Sequence, residues 1–165
     1  VQAAGLKKFS MELGGKSPNI VAADAPDLAQ AAKAAAGGIF YNQGEVCTAA
    51  SRLLVERSIK DEFVAAVVEA GKAMHPRHPL EPGAPMGAMV DEGQTARVLD
   101  YIAKGQADGG RLLLGGKRAD VVAGGCYIEP TVFDGRNLYD PKTMAGHGFT
   151  YEAIGRGAVR SSKPV

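Results

Sequence analysis

The sequence predicts an α/β fold, a mostly parallel sheet flanked by helices. Two patterns lead to it. Short apolar runs with turn residues at their ends alternate with longer stretches of helical periodicity, and strand–helix–strand order favours parallel pairing. A composition of 45% hydrophobic and 22% charged residues over 165 positions supplies enough material for one domain's core.

Taken in order, residues 18–23 (Pro-Asn-Ile-Val-Ala-Ala) form an apolar run bounded by Pro18 and Asp24, as in a buried strand. Asp24 to Asp27 supply helix-start chemistry, with Pro26 tolerated in a first turn. The alanine-rich stretch from Leu28 to about Phe40 has strong helix propensity, and Gly37 and Gly38 let it pack closely or end. A loop carrying Cys47 leads to an alternating strand at 52–56. Ser58 and Asp61 are spaced as a cap for a helix whose Ile59, Phe63, Ala66, Val67 and Ala70 share one face. Four prolines between residues 74 and 85 require an extended surface connection. A further helix spans about 92–107, with Ala96, Leu99, Ile102 and Ala103 on one side and Gly109 and Gly110 as its stop. Residues 111–114 read as a strand and 115–125 as a loop. Residues 127–133 form another strand, which Pro130 places at an edge or a bulge.

Nineteen basic residues against eighteen acidic ones argue against an electrostatic nucleic-acid partner. No apolar run reaches the roughly 20 residues needed to cross a bilayer, so no membrane association is expected. The two cysteines lack CxxC or zinc spacing and suit free thiols in a cytoplasmic protein, with a single disulfide as the other option. A chain that starts at Val1 in mid-pattern, with neither initiator Met nor apolar leader, reads as a fragment.

Two glycine-loosened segments carry the candidate chemistry. Residues 11–16 (Met-Glu-Leu-Gly-Gly-Lys) present Glu12, and residues 42–48 (Asn-Gln-Gly-Glu-Val-Cys-Thr) present Cys47. A cysteine attacks an electrophilic carbon only as an exposed thiolate. Asn42, Gln43 and Gly44 give Cys47 polar, flexible neighbours, which favours a working thiol over the commoner inert core thiol. Glu12 is a candidate base or else a solvated turn residue. Gly14 and Gly15 let backbone approach a cofactor or the thiol closely, or simply make a tight turn. His75 and His78 lack companion ligands, so no metal site is expected. Cys126 and His147 read as structural.

In these two motifs, agreeing in order and separation, the sequence resembles the NAD(P)-dependent aldehyde dehydrogenases. The resemblance runs over about residues 3–135. It includes Gly37-Gly-Ile-Phe-Tyr-Asn42, Ser51-Arg-Leu-Leu-Val-Glu56, Met86-Gly-Ala-Met-Val90, Gly115-Gly-Lys117 and Glu129-Pro-Thr-Val-Phe-Asp134. The wording is most similar to bacterial dehydrogenases of γ-glutamyl-γ-aminobutyraldehyde. The resemblance implies part of an aldehyde dehydrogenase catalytic domain, oxidising a small-molecule aldehyde to a carboxylate with NAD or NADP. It gives Cys47 the role of nucleophile, through a thiohemiacetal and a thioester, and Glu12 that of base for the hydrolytic water. Leu13 and Gly14 become cofactor contacts, and the backbone N–H at Cys47 one donor to the oxyanion.

Two features depart from that pattern. The family's preceding nucleotide-binding region is not in this sequence. After Phe133 the chain reads Asp134-Gly-Arg-Asn-Leu-Tyr-Asp-Pro141 where the family has a Glu-x-Phe-Gly-Pro motif. Together with residues 148–156 (Gly-Phe-Thr-Tyr-Glu-Ala-Ile-Gly-Arg), this resembles the C-terminal end of UDP-glucose/GDP-mannose dehydrogenases, where Arg136 would match an arginine that contacts sugar nucleotide. The expected organisation is a catalytic-region fragment at 1–135 and a foreign tail at 136–165, a chimera with impaired or no dehydrogenase activity. A non-enzymatic α/β remnant, self-associating through bare sheet edges and apolar faces, is the alternative. Sugar-nucleotide binding through the tail is the third option.

Overall fold

A computed structural model describes Gly5 and residues 7–135 of the chain. The expected foreign tail, with Arg136 and His147, lies outside the described residues. The chain divides into two compact units between Gly87 and Ala88.

The first unit is a strand–helix–strand–helix arrangement. Strand β1 (Pro18–Val21) and strand β2 (Arg52–Val55) pair in parallel, Pro18 opposite Arg52 and Val21 opposite Val55. Between them runs helix α1 (Leu28–Phe40), whose start is capped by the Asp27 carboxylate accepting from the Gln30 N–H. Pro26 therefore sits before the cap rather than inside the first turn. Helix α2 (Lys60–Lys72) follows β2. The two helices cover one face of the sheet, and Val21, Ala32, Ala35, Phe63 and Val67 form the core, with Leu28, Leu53, Val55 and Ile59 packed around it.

The expected face of α2 is the observed one, with Phe63 and Val67 buried and Ile59, Ala66 and Ala70 partly so. Its expected cap is not. Arg57–Ile59 make a single 3-10 turn, Ile59 occupies the cap position, and the Ser58 hydroxyl donates instead to Glu56. Asp61 and Glu62 still lie in the first turn and Lys72 in the last, complementing the helix dipole. Gly37 and Gly38 neither end α1 nor admit a neighbour: a Cβ at either would meet nothing within 4 Å. The first strand is shorter than expected and only Val21 is buried; Ile20 is 74% exposed. Alternation explains this, because Ile20 and its register partner Leu54 point to the sheet face opposite the helices.

The proline-rich connection is the expected surface path, although Pro76 and Met86 are buried anchors within it.

The second unit holds helix α3 (Glu92–Ala107) and the antiparallel pair β3 (Arg111–Leu114) and β4 (Val132–Asp134). Asp91 caps α3 by accepting from the Gln94 N–H. The helix ends in a double closure typical of a left-handed glycine cap, Gly110 N–H to Gly105 O and Gly109 N–H to Gln106 O, with Gly109 at φ +92°. The inward stripe of α3 is Thr95 and Ile102, buried, with Val98 and Leu99 half-buried, rotated from the expected one: Ala96 and Ala103 are exposed. Alanine carries too little apolar surface to set the facing, and Thr95 is tolerated inside because its hydroxyl donates to Asp91 O. The strand expected over 127–133 does not run through Pro130, which lacks the N–H a continuous ladder needs. Residues 127–129 pair with 117–119 through Arg118 and Ile128, and β4 begins only after the proline.

Candidate active site

Parallel pairing decides where the two motif segments meet. The segment with Glu12 runs into β1 and the loop with Cys47 runs into β2, so both arrive at the same end of the sheet. A Cβ built on Gly15 would lie 2.8 Å from the Cys47 carbonyl oxygen, so the two backbones are in direct apposition there. The close approach foreseen for Gly14 or Gly15 belongs to Gly15; at Gly14 a Cβ would meet nothing within 4 Å. Glu12 lies three residues before Gly15, so its Cα is within about 11 Å of Gly15's even if the chain is fully extended.

Cys47 is a free, exposed cysteine. Its loop is wound tightly. Asn42 (φ 50°, ψ 43°) and Gln43 (φ 58°, ψ 18°) are both left-handed, and Gly44 follows at φ +78°. Two consecutive non-glycine residues in that region are costly, of order 1–3 kcal/mol each at the upper end, and such strain concentrates at functional loops. The turn is closed by Glu45 N–H to Asn42 O, and a second one by Ala49 N–H to Val46 O. Cys47 thus stands on the rim of the second turn while Ala49 is buried and anchors it. No backbone hydrogen bond from the Cys47 N–H occurs among the described residues.

Glu12, Leu13 and Gly14 are exposed, Leu13 at 67%. The segment is fastened to β2 just beyond. The Arg52 side chain donates from Nε to Lys16 O at 2.7 Å, and the Arg52 backbone N–H donates to Ser17 O at 3.4 Å. Sequence reasoning saw Arg52 only as the start of a strand. The signal for its second role, two successive carbonyls at 16 and 17, exists only once the register is known.

No group of three or more His, Cys, Asp or Glu residues able to hold a metal occurs among the described residues. His75 Nδ1 lies 3.0 Å from Pro76 O, and His78 Nδ1 accepts from the Leu80 N–H. Cys126 is half-buried and donates weakly to Glu92, which also pairs with Arg118. No helix among the described residues is long and apolar enough to cross a membrane.

Comparison with known proteins gives the family. The family model described as "Aldehyde dehydrogenase family" matches residues 1–140. The chain is 47% identical over 130 residues to the NADP/NAD-dependent aldehyde dehydrogenase PuuC of Escherichia coli (strain K12), covering 79% of this chain and 26% of that protein. Among solved structures, it is similar to the aldehyde dehydrogenase KauB from Pseudomonas aeruginosa, at 61% identity and TM-score 0.72, covering 75% of this chain and 25% of that one. It is also similar to the gamma-glutamyl-gamma-aminobutyraldehyde dehydrogenase from Burkholderia cenocepacia J2315, at 58% identity and TM-score 0.71, over 74% and 24% of the two chains. The chain belongs to the aldehyde dehydrogenase family, and its α/β fold is part of that family's fold. It spans about a quarter of the length of these relatives.

Proposed function

We propose that this chain carries the thiol centre of an NAD(P)-dependent aldehyde dehydrogenase, oxidising an aldehyde to a carboxylate, with Cys47 as nucleophile and Glu12 as base. The observation that carries the reading is the apposition of Gly15 with the Cys47 carbonyl beside an exposed thiol. The Cys47 thiolate adds to the aldehyde carbon, and the new oxyanion is met by the Cys47 N–H. NAD or NADP, when bound, supplies the acceptor for the hydride lost from that adduct. The Glu12 carboxylate takes a proton from water, whose oxygen adds to the thioester carbon, and the thiolate leaves with the carboxylic acid released. Leu13 and Gly14 fit a cofactor contact in that Leu13 offers exposed apolar surface and Gly14 an unobstructed backbone. The name of the E. coli relative, with both NADP and NAD, favours a choice between those two cofactors. The B. cenocepacia relative favours γ-glutamyl-γ-aminobutyraldehyde as substrate.

Hydride transfer needs the cofactor held about 3–3.5 Å from the reacting carbon. Two candidate contacts hold it poorly, so this 165-residue stretch by itself is expected to show thiol chemistry and little or no dehydrogenase turnover. The test is cofactor-free hydrolysis of p-nitrophenyl acetate. Cys47→Ala is expected to abolish it, while Glu12→Gln is expected to preserve the acylation burst and slow deacylation. Hydrolysis that survives in Cys47→Ala overturns the reading.

A second reading, self-association of the first unit, is favoured by Ile20 and Leu54 side by side on the uncovered sheet face, 74% and 43% exposed. The proposal for the tail remains the distinct one of a sugar-nucleotide segment at 136–165; the motif around Arg136 supports it, and titration with UDP-glucose giving no heat dismisses it. We place the protein in the cytoplasm on its cysteine usage.

A further inference from the structure

We infer that Arg52 and Gly15 form a clasp that sets the position of Glu12 relative to Cys47, making both positioning residues for the hydrolytic half of the reaction. The inference rests on the thiol-centre reading above for its catalytic consequence, but its geometric content stands apart. Three contacts from the two loops converge on five residues of chain. Arg52 Nε holds Lys16 O at 2.7 Å, the Arg52 N–H holds Ser17 O, and Gly15 lies against Cys47 O where even a methyl group would collide. Arg52 follows Cys47 by five residues, and Ser51 between them is itself tied back by its N–H to Ala49 O. The buried Ala49 fixes that short path to the unit's interior. Among the described residues the Glu12 segment has no strand partner before Pro18, and the guanidinium and the glycine are the contacts that register it against the thiol loop. An arginine suits this task because its Nε–H is directed and its charge never titrates in the working range.

A clasp of this kind predicts a selective defect. Acylation needs only Cys47 and its own loop, whereas deacylation needs the carboxylate at a fixed distance, and a displacement of about 1 Å can cost on the order of 100-fold. The experiment uses the full chain in a Cys126→Ser background, with Arg52→Met, Arg52→Lys and Gly15→Ala. Two readouts are taken. The first is crosslinking by phenylene dimaleimide between Cys47 and a cysteine placed by Glu12→Cys, which reports proximity without any catalysis. The second is the split between burst and steady-state rates of p-nitrophenyl acetate hydrolysis in chains that keep Glu12.

Arg52→Met and Gly15→Ala are expected to slow crosslinking about 10-fold or more through lost effective concentration, with Arg52→Lys, which keeps a donor, between them and the unsubstituted chain. Arg52→Met is also expected to slow deacylation toward the Glu12→Gln rate while its burst rate changes by no more than about twofold. Crosslinking unchanged by both Arg52→Met and Gly15→Ala, in chains whose circular dichroism matches the parent, overturns the clasp. Absence of any burst in the parent overturns the thiol-centre reading instead, and the crosslinking arm then decides the clasp alone. A loss in both rates together with lost alkylation of Cys47 by iodoacetamide means general loosening of the fold, and it too overturns the inference.

Discussion

At the scale of single residues, Glu56 shows how one exposed side chain can hold several ends together. Its carboxylate accepts the Ala23 N–H at 2.7 Å and the Ser58 hydroxyl at 2.8 Å, and its own N–H donates to Val21 O. The Ala23 N–H, and then Ser58, hold its pKa below the ordinary 4.5. A lowered carboxylate stabilises the fold above the unfolded-state pKa and loses that contribution as pH falls through the folded value. Glu56→Gln should therefore lower the thermal midpoint at pH 7 and flatten its decline below about pH 4.5, readable by calorimetry across pH. Gly38 offers the opposite test. It lies exposed in the last turns of α1 with open space at its Cβ, so Gly38→Ala should raise stability by about 0.5–1 kcal/mol, measured by urea denaturation.

At the scale of elements, the helices were legible because their signals are local. Asp27 and Asp91 cap α1 and α3, and replacing either with Ala should cost about 1 kcal/mol. Phe63, with no exposed surface, is the keystone of α2; Phe63→Ala should cost about 3–5 kcal/mol in the same denaturation assay. The misreadings have a common cause. Ser58 and Asp61 have capping spacing, but the chain leaving β2 at Glu56 makes a 3-10 turn first, so the Ser58 hydroxyl is spent on Glu56. In α3 the alanines at 96 and 103 satisfy a helical period yet face outward, because the wheel is turned by Val98 and Ile102 packing inside. Sequence periodicity gives the angle between residues, not which angle faces the core.

At the scale of the molecule, the α/β class and the family could be read, the latter through the motifs around Glu12 and Cys47, whereas the contacts of Arg52 could not. Cys47 and Glu12 stand out only through the motifs that carry the family resemblance. Arg52 acts across 36 positions, through a register that no local pattern encodes. The same is true of Ile20, which looked like a core residue until the sheet face it occupies was known. Ile20→Lys should reduce any concentration-dependent association seen by size-exclusion chromatography while changing stability by less than about 0.5 kcal/mol; association that persists unaltered would move the contact elsewhere.

The β1–β2 ladder is four residues long on each side, and the hydrogen bond at one end, from the Arg52 amide to Ser17 O, is 3.4 Å long against 2.9 Å for that from the Glu56 amide to Val21 O at the other. The candidate centre is thus built where the ladder frays first. Amide-proton exchange should be quicker at Arg52 than at Glu56, whose N–H donates to Val21 O at 2.9 Å. The lifetime of the Gly15–Cys47 apposition is then governed by local opening at this end of the ladder, rather than by the global unfolding of the unit.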